Sequence, residues 1–397
     1  MLSHAANLAS VEKWFRDRDL FRVGIDHFVH ITLDHILAAV WFANTPSSIL
    51  GSTQDGQIGL FALTFAHGGS GSDSSFSVER NTHLFLELRL AIEPRIGLLV
   101  GREWSFPPAF IDAVARRQAG VVADFIKLDA TKMAQPVPYT LIIDRISHEV
   151  GFYRTFLKHA TRMGVTVVNN PFMWSADDKF YDATMATQQG VTHPHTMVLP
   201  NKDYIPGISH SESLRNLSYP LDWKGVAEHI GFPCVLKDAH GGGWRDVYIC
   251  QSMEDLLTHY NTSGLLTMVV QEFIKWDQYV RCMVLGREKV LPMPYDPGQR
   301  RYIPDAGYLS PELEDRCVKD AITLCQNLGY DMNTVEFAVR DGIPYAIDFM
   351  NPAPDMDINS LTPAYFEWVV ENMADLAIKL ATAPRPAPMN GPVIGPR

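Results

Sequence analysis

The chain has 397 residues, and 34 Lys plus Arg against 45 Asp plus Glu leave a formal charge of −11, which argues against a surface built to neutralise nucleic-acid phosphates. Its length predicts about two to three domains, and 46% hydrophobic residues allow a sizeable buried core. The opening carries Glu12, Lys13, Arg16, Asp17, Arg18 and Asp19 in place of a signal-peptide core, Ile31 to Ala43 is too short to span a bilayer, and the five cysteines include no C-x-x-C pair, so a cytoplasmic protein with reduced thiols and no membrane partner is expected.

Residues 1–93 read as an N-terminal extension of unknown role. Its Gly/Ser-rich run, Gly68 to Ser75, lacks the Gly-Lys-Ser/Thr ending of a P-loop and reads as a mobile surface loop. From 94 to 170 the pattern is strand (Arg95 to Val100), helix (Pro107 to Gln118), strands (Gly120 to Ile126, Tyr139 to Ile143), helix (His148 to Met163) and strand (Val165 to Val168). That order at those lengths predicts an α/β unit with a largely parallel sheet. A helix opened by Asp178-Lys179 follows, then a strand at Thr196 to Leu199 and a helix at Trp223 to Ile230. The strand Phe232 to Lys237 leads into glycines 241–243, and Val247 to Cys250 and Met253 to Tyr260 read as strand and helix. Strands dominate after Met268: Met268 to Ile274, Gln278 to Leu285, Lys289 to Met293, Thr334 to Val339 and Pro344 to Phe349, interrupted by a helix from Pro311 to Leu328. A last helix spans Phe366 to Leu380, and five prolines in the final fifteen residues predict a disordered tail over 383–397.

Three segments carry nucleotide chemistry. Lys237 ends an apolar strand, where its ammonium can reach a phosphate, and Gly241, Gly242 and Gly243 let backbone N–H groups approach the same anion; a glycine hairpin with a surface lysine is the plain alternative. Gln271, Glu272, Phe273 and Ile274 end another apolar strand with acceptors beside apolar side chains, suited to an adenine and its ribose, or simply form an exposed sheet edge. The third is a hairpin turning at Asp341-Gly342, which brings Glu336 and Asp348 near opposite positions with Asn351 three residues on. Two carboxylates and an amide oxygen suit Mg²⁺ carrying phosphates, unless they are solvated on an outer face.

In this order the motifs resemble the ATP-grasp superfamily, whose glutathione synthetase-like ATP-binding fold is of carboxylate–amine ligase type; the resemblance covers about residues 95 to 380. It implies α/β and α+β architecture: a small α/β domain over 94–170, an ATP-grasp subdomain with the glycine loop over 171–267, and a second with the metal site over 268–382. Under the resemblance Lys179 and Lys237 are the nucleotide lysines and Gly241 to Gly243 the flexible loop over the phosphates. Gln271 to Ile274 are the adenine hinge, Arg281 is the arginine at the transferred phosphate, and Glu336, Asp348 and Asn351 are the metal triad. Asp348 stands where many members carry Glu, and Tyr279 where one branch carries an acid. The implied reaction uses ATP and Mg²⁺ to make an acyl phosphate of a small-molecule carboxylate, which an amine attacks; a kinase acting on a hydroxyl, or a nucleotide-binding protein without turnover, are the rival readings, and a homodimer stays open. For the substrate, Arg300 and Arg301 are candidates for a bidentate carboxylate clamp. Arg102 and Arg145 end strands where open sheets bind ligands, and Asp355 follows the metal hairpin.

Overall fold

The computed structural model describes residues 94–208, 212–304 and 307–383. The expectations for residues 1–93, including the Gly68 to Ser75 loop, and for the tail from residue 384 lie outside the described residues.

Strands β1 (Arg95–Leu99), β2 (Val122–Phe125), β3 (Leu141–Asp144) and β4 (Thr166–Val168) form a parallel sheet in the order β2-β1-β3-β4. Central β3 is buried along its length, as its unbroken apolar run requires of a strand covered on both faces. Helix α1 (Phe106–Arg116) covers one face, and α2 (Gly151–Arg162) lays Phe156, Leu157 and Ala160 on the other. The short α3 (Pro171–Trp174), which the sequence pattern does not announce, leads to α4 (Lys179–Gln188).

A second sheet, antiparallel, has the order β5-β8-β6-β7, with β5 (Thr196–Leu199), β6 (Cys234–Asp238), β7 (Val247–Cys250) and β8 (Met268–Glu272). Helices α5 (Trp223–Ile230) and α6 (Met253–Thr262) close its core through Val226, Ile230, Leu256 and Tyr260. This sheet runs across the expected boundary between 267 and 268. β8 pairs with both β5 and β6, so this sheet ends only after Glu272.

The third sheet is antiparallel, in the order β11-β10-β9-β12-β13: β9 (Gln278–Leu285), β10 (Lys289–Asp296), the two-residue β11 (Arg301–Tyr302), β12 (Met332–Arg340) and β13 (Ile343–Asp348). Alternation along β9 divides its residues. Val280, Cys282 and Val284 pack under α7 (Pro311–Leu328), whereas Tyr279, Met283 and Leu285 join the core of α8 (Pro363–Thr382) and α1. Because α8 lies against both the parallel sheet and the third sheet, these two layers share one hydrophobic core. Polar ties reinforce it: Asn169 Nδ2 donates to Met332 O at 2.7 Å and Pro352 O at 2.9 Å, and Arg117 Nε meets Asp375 at 2.6 Å. All five cysteines are free and buried, and among the described residues no helix is long and apolar enough to cross a membrane.

The β12–β13 hairpin carries an irregularity. From the turn, Arg340 pairs with Ile343 and Phe337 with Ala346, so unbroken alternation would set Glu336 against Ile347. One extra residue, Ile347, is accommodated as a bulge, and Glu336 pairs with Asp348 instead. That places both carboxylates on one face of the sheet; without the bulge Asp348 would lie opposite Val335, whose side chain belongs to the α7 core.

Candidate active site

The bulge, the start of α4 and the inner strands of the second sheet meet at a small cleft lined by Lys179, Asp182, His193, Lys237, Gln271, Ile347, Asp348 and Phe349. Lys179 opens α4 because Asp178 caps the helix, accepting from the Phe180 and Tyr181 amides at 2.9 and 2.8 Å. Its ammonium lies 3.2 Å from Asp348 Oδ1. Burial works against the Lys179 charge, yet Asp348 outweighs it and raises the pKa. Burial likewise favours a neutral Asp348, and the two lysines overcome it and hold the carboxyl below its ordinary range.

Lys237 ends β6 with its ammonium 2.9 Å from Ile347 O, a carbonyl at the bulge, and 3.1 Å from Gln271 Oε1. A chain of donors fixes this geometry. His193 Nδ1 lies 2.8 Å from Pro194 O and so carries the proton, leaving Nε2 to accept from the Gln271 amide at 3.4 Å, while that amide also donates to Thr196 Oγ1 at 3.1 Å. Burial lowers His193 to about 4 and keeps it neutral. Burial also lowers Lys237 to about 8, against the pull of Asp348.

On β9 and β12, Arg281 and Glu336 are cross-strand partners. Arg281 Nη2 is 2.8 Å from Glu336 Oε1, and Tyr279 donates its hydroxyl to Glu336 Oε2. The guanidinium stacks on Tyr295 at 3.8 Å and reaches Tyr302 at 5.9 Å, while its Nε is buried with no hydrogen-bond partner among the described residues. Burial opposes the Arg281 charge, and Glu336 more than restores it. Glu336 itself is pushed up by burial, with Arg281 pulling the other way.

The other expected positions sort by place. Glu272 is ion-paired with Arg340 at 3.0 Å, the Phe273 ring lies tilted 5.6 Å from that of Trp276, and Ile274 is buried. Gly241 to Gly243 join β6 to β7, with Gly243 and Trp244 at positive φ (66° and 62°), and the Arg300 guanidinium sits 5.8 Å over the Trp244 ring. Asn351 lies half-buried just past β13. Asp355 is exposed, accepts from the Asp357 amide at 2.9 Å and faces Tyr302 electrostatically. Arg301 is exposed on β11 and Arg102 is 92% exposed at its side chain, its nearest acid Glu149 at 3.9 Å. Arg145 lies inside the fold. It is 2% exposed, paired with Glu103, and donates to Pro354 O at 2.5 Å, so it ties two layers together. Sequence reading overlooked Asp182, Thr196, Tyr295 and Ile347 here. Only Asp182 left a signal, its i, i+3 spacing from Lys179 on one helical turn.

The residues present fit a magnesium-bound nucleotide. Two ammonium groups converge on one cleft, and two hard carboxylates oppose each other across the bulge beside it, whereas no group of three His, Cys, Asp or Glu forms a metal site among the described residues.

No protein-family model matches the chain. Among curated proteins it is 31% identical over 138 residues to human mitochondrial pyruvate carboxylase, a match of 30% of this chain and 12% of that protein. It is 26% identical over 194 residues to the D-alanine–D-alanine ligase of Polynucleobacter asymbioticus, 44% of this chain and 57% of that one. The chain thus spans about an eighth to somewhat over half of these relatives. Among solved structures, a RimK-domain ATP-grasp protein from Sphaerobacter thermophilus superposes with a TM-score of 0.50 at 20% identity, covering 72% of this chain and 99% of that one. The VanG D-Ala:D-Ser ligase of Enterococcus faecalis does so at 0.53 and 13% identity, covering 73% and 100%.

Proposed function

Because the chain has the ATP-grasp fold, we propose that it is an ATP-dependent carboxylate–amine ligase. The observation that carries this reading is the convergence of Lys179, Lys237 and Asp348 on one cleft, with Glu336 and Arg281 on the adjoining face. In this reading Lys179 and Lys237 bind the nucleotide phosphates, and Gln271 with His193 behind it holds Lys237 in place. The hinge Gln271 to Ile274 receives the adenine. Glu336, Asp348 and Asn351 would hold Mg²⁺, which supplies charge neutralisation at the phosphates when bound. Arg281, stiffened by the Tyr295 ring, offsets charge on the phosphoryl group passing to the substrate carboxylate. The acyl phosphate so formed is attacked by the amine, and the glycine loop with Trp244 shields it from water.

Hydroxylamine trapping tests the chemistry. With Mg-ATP and pools of amino acids, short peptides and small carboxylic acids, ADP release stimulated by one pool should be accompanied by a hydroxamate. A phosphorylated hydroxyl without hydroxamate would make the protein a kinase, and AMP in place of ADP would end the γ-phosphoryl mechanism.

Lys237 gives the site a pH signature. Above about 8 its ammonium loses the proton, and a phosphate then faces a neutral amine, so ATP affinity measured by calorimetry should fall as pH rises through that value. Lys237→Arg, whose guanidinium stays charged, should flatten the profile. The same shift makes this group's contribution to stability grow from about pH 8 to the ordinary 10.5, because there the unfolded chain holds the extra proton.

A further inference from the structure

Glu336 is held from two sides before any cation reaches it. Side chains alternate along β9, so Tyr279 and Arg281 leave the strand on one face, and Arg281 is the register partner of Glu336 on β12. Tyr279 is therefore the diagonal neighbour of Glu336, at a separation that an aromatic side chain can bridge. The Tyr279 hydroxyl donates to Glu336 Oε2, while Arg281 Nη2 lies 2.8 Å from Oε1. The phenol has little freedom to turn away. It is 3% exposed, and its ring centroid lies 5.6 Å from that of Trp276 and 5.9 Å from that of Tyr295. Its backbone amide donates to the Tyr308 hydroxyl at 3.2 Å, which ties down the start of β9.

We propose that Tyr279 is a positioning residue for Glu336: its hydroxyl and the Arg281 guanidinium grip one carboxylate oxygen each and set the group for a divalent cation. This rests on the reading of Glu336 as a metal ligand. An ionised carboxylate offers about four lone-pair sites. Two are taken by these donors, and the rest stay open to a cation. A carboxylate already ordered in the free protein loses less freedom when it binds, and hydrogen bonds that orient a ligating group are worth about 10–100-fold in metal affinity. The residue type at 279 matters for the same reason. Tyrosine supplies a donor to Oε2, whereas an ionised acid there would supply only acceptors and repel Glu336.

Calorimetric titration of the whole chain with ATP, once in Mg²⁺ and once in EDTA, tests this, with thermal melting of each variant alongside. The quantity read is the ratio of the two affinities, the gain that Mg²⁺ confers. Tyr279→Phe keeps the ring and removes only the hydroxyl. It should bind metal-free ATP as the parent does and lose about 10–100-fold of the Mg²⁺ gain. Glu336→Gln should lose that gain too, and adding Tyr279→Phe to it should cost nothing further, because a residue acting through Glu336 has no effect once Glu336 is gone. If Tyr279→Phe melts lower but keeps the Mg²⁺ gain while Glu336→Gln loses it, the phenol only packs, and the proposal falls while the metal reading stands. Equal losses with and without Mg²⁺, or additive losses in the double variant, also overturn it. Should Tyr279→Phe fail to fold, Tyr279→His, which keeps a ring and an N–H donor, decides: a Mg²⁺ gain as low as that of Glu336→Gln contradicts the proposal, and one near the parent's supports it. If Glu336→Gln keeps the Mg²⁺ gain, or the parent has none, the metal reading and the proposal fall together.

Discussion

Replacing Glu336 by alanine should reduce Mg-ATP-dependent ADP release by about 10²–10³-fold, the loss that follows removal of one preorganised electrostatic group at a transition state. The same change strikes the fold. Arg281 would be left buried, its Nε already without a partner and its Nη2 robbed of the carboxylate 2.8 Å away, and the Tyr279 hydroxyl would lose its acceptor. Breaking a buried pair from one side costs about 3–5 kcal/mol, so denaturant unfolding should show a loss of that order. Glu336→Gln separates the two effects. It keeps an acceptor for Tyr279 and the side-chain volume, and should retain more of the stability while still losing the turnover. If Glu336→Gln turned over ATP as the parent does, the metal assignment would be wrong.

The second large effect is expected at Arg145, a buried arginine paired with Glu103. Arg145→Met leaves the Glu103 carboxylate without its ion pair and the Pro354 carbonyl without its donor at 2.5 Å, inside the seam between the parallel sheet and the segment that follows β13. Unfolding free energy should fall by about 3–5 kcal/mol. Because Pro354 precedes Asp355 and follows Asn351 closely, the variant should raise KM for the substrate more than it lowers kcat. A variant as stable as the parent would show that the seam is held by the α8 core alone.

The contrast between Arg145 and Arg281 marks what the sequence could convey. Arg281 was singled out in the sequence through a motif order of known type alone, and only the strand register sets it beside Glu336. Arg145 read as a ligand contact because its strand-end position is a common binding place, and its true partners lie 42 and 209 residues away, a pairing no local pattern encodes. The same limit hid the hydrogen bond from Tyr330 to Asp177 and the ring of Tyr295 under Arg281. Strands and helices from Arg95 onward were readable from apolar periodicity, apart from the four-residue α3 and the two-residue β11, which are too short to carry a period. The strand Met268–Glu272 was read as a strand, but its pairing with β5 and β6 was not legible, because the sequence shows apolar length and not which neighbour completes the ladder. The site was legible as a set of chemical groups, and only the fold showed that Glu336 and Asp348 face each other through an extra residue.

That extra residue limits how this protein can vary in length. Lengthening the Asp341-Gly342 turn by two residues leaves every side chain beyond it facing as before, so insertions at the tip should leave the stability of the fold near that of the parent. Losing Ile347 restores simple alternation with Asp348 still opposite Glu336, but takes from Lys237 the carbonyl 2.9 Å away. Chimeras between this chain and other proteins of the same fold are therefore best joined at the tip, with the stretch from Ala346 to Asn351 transplanted whole.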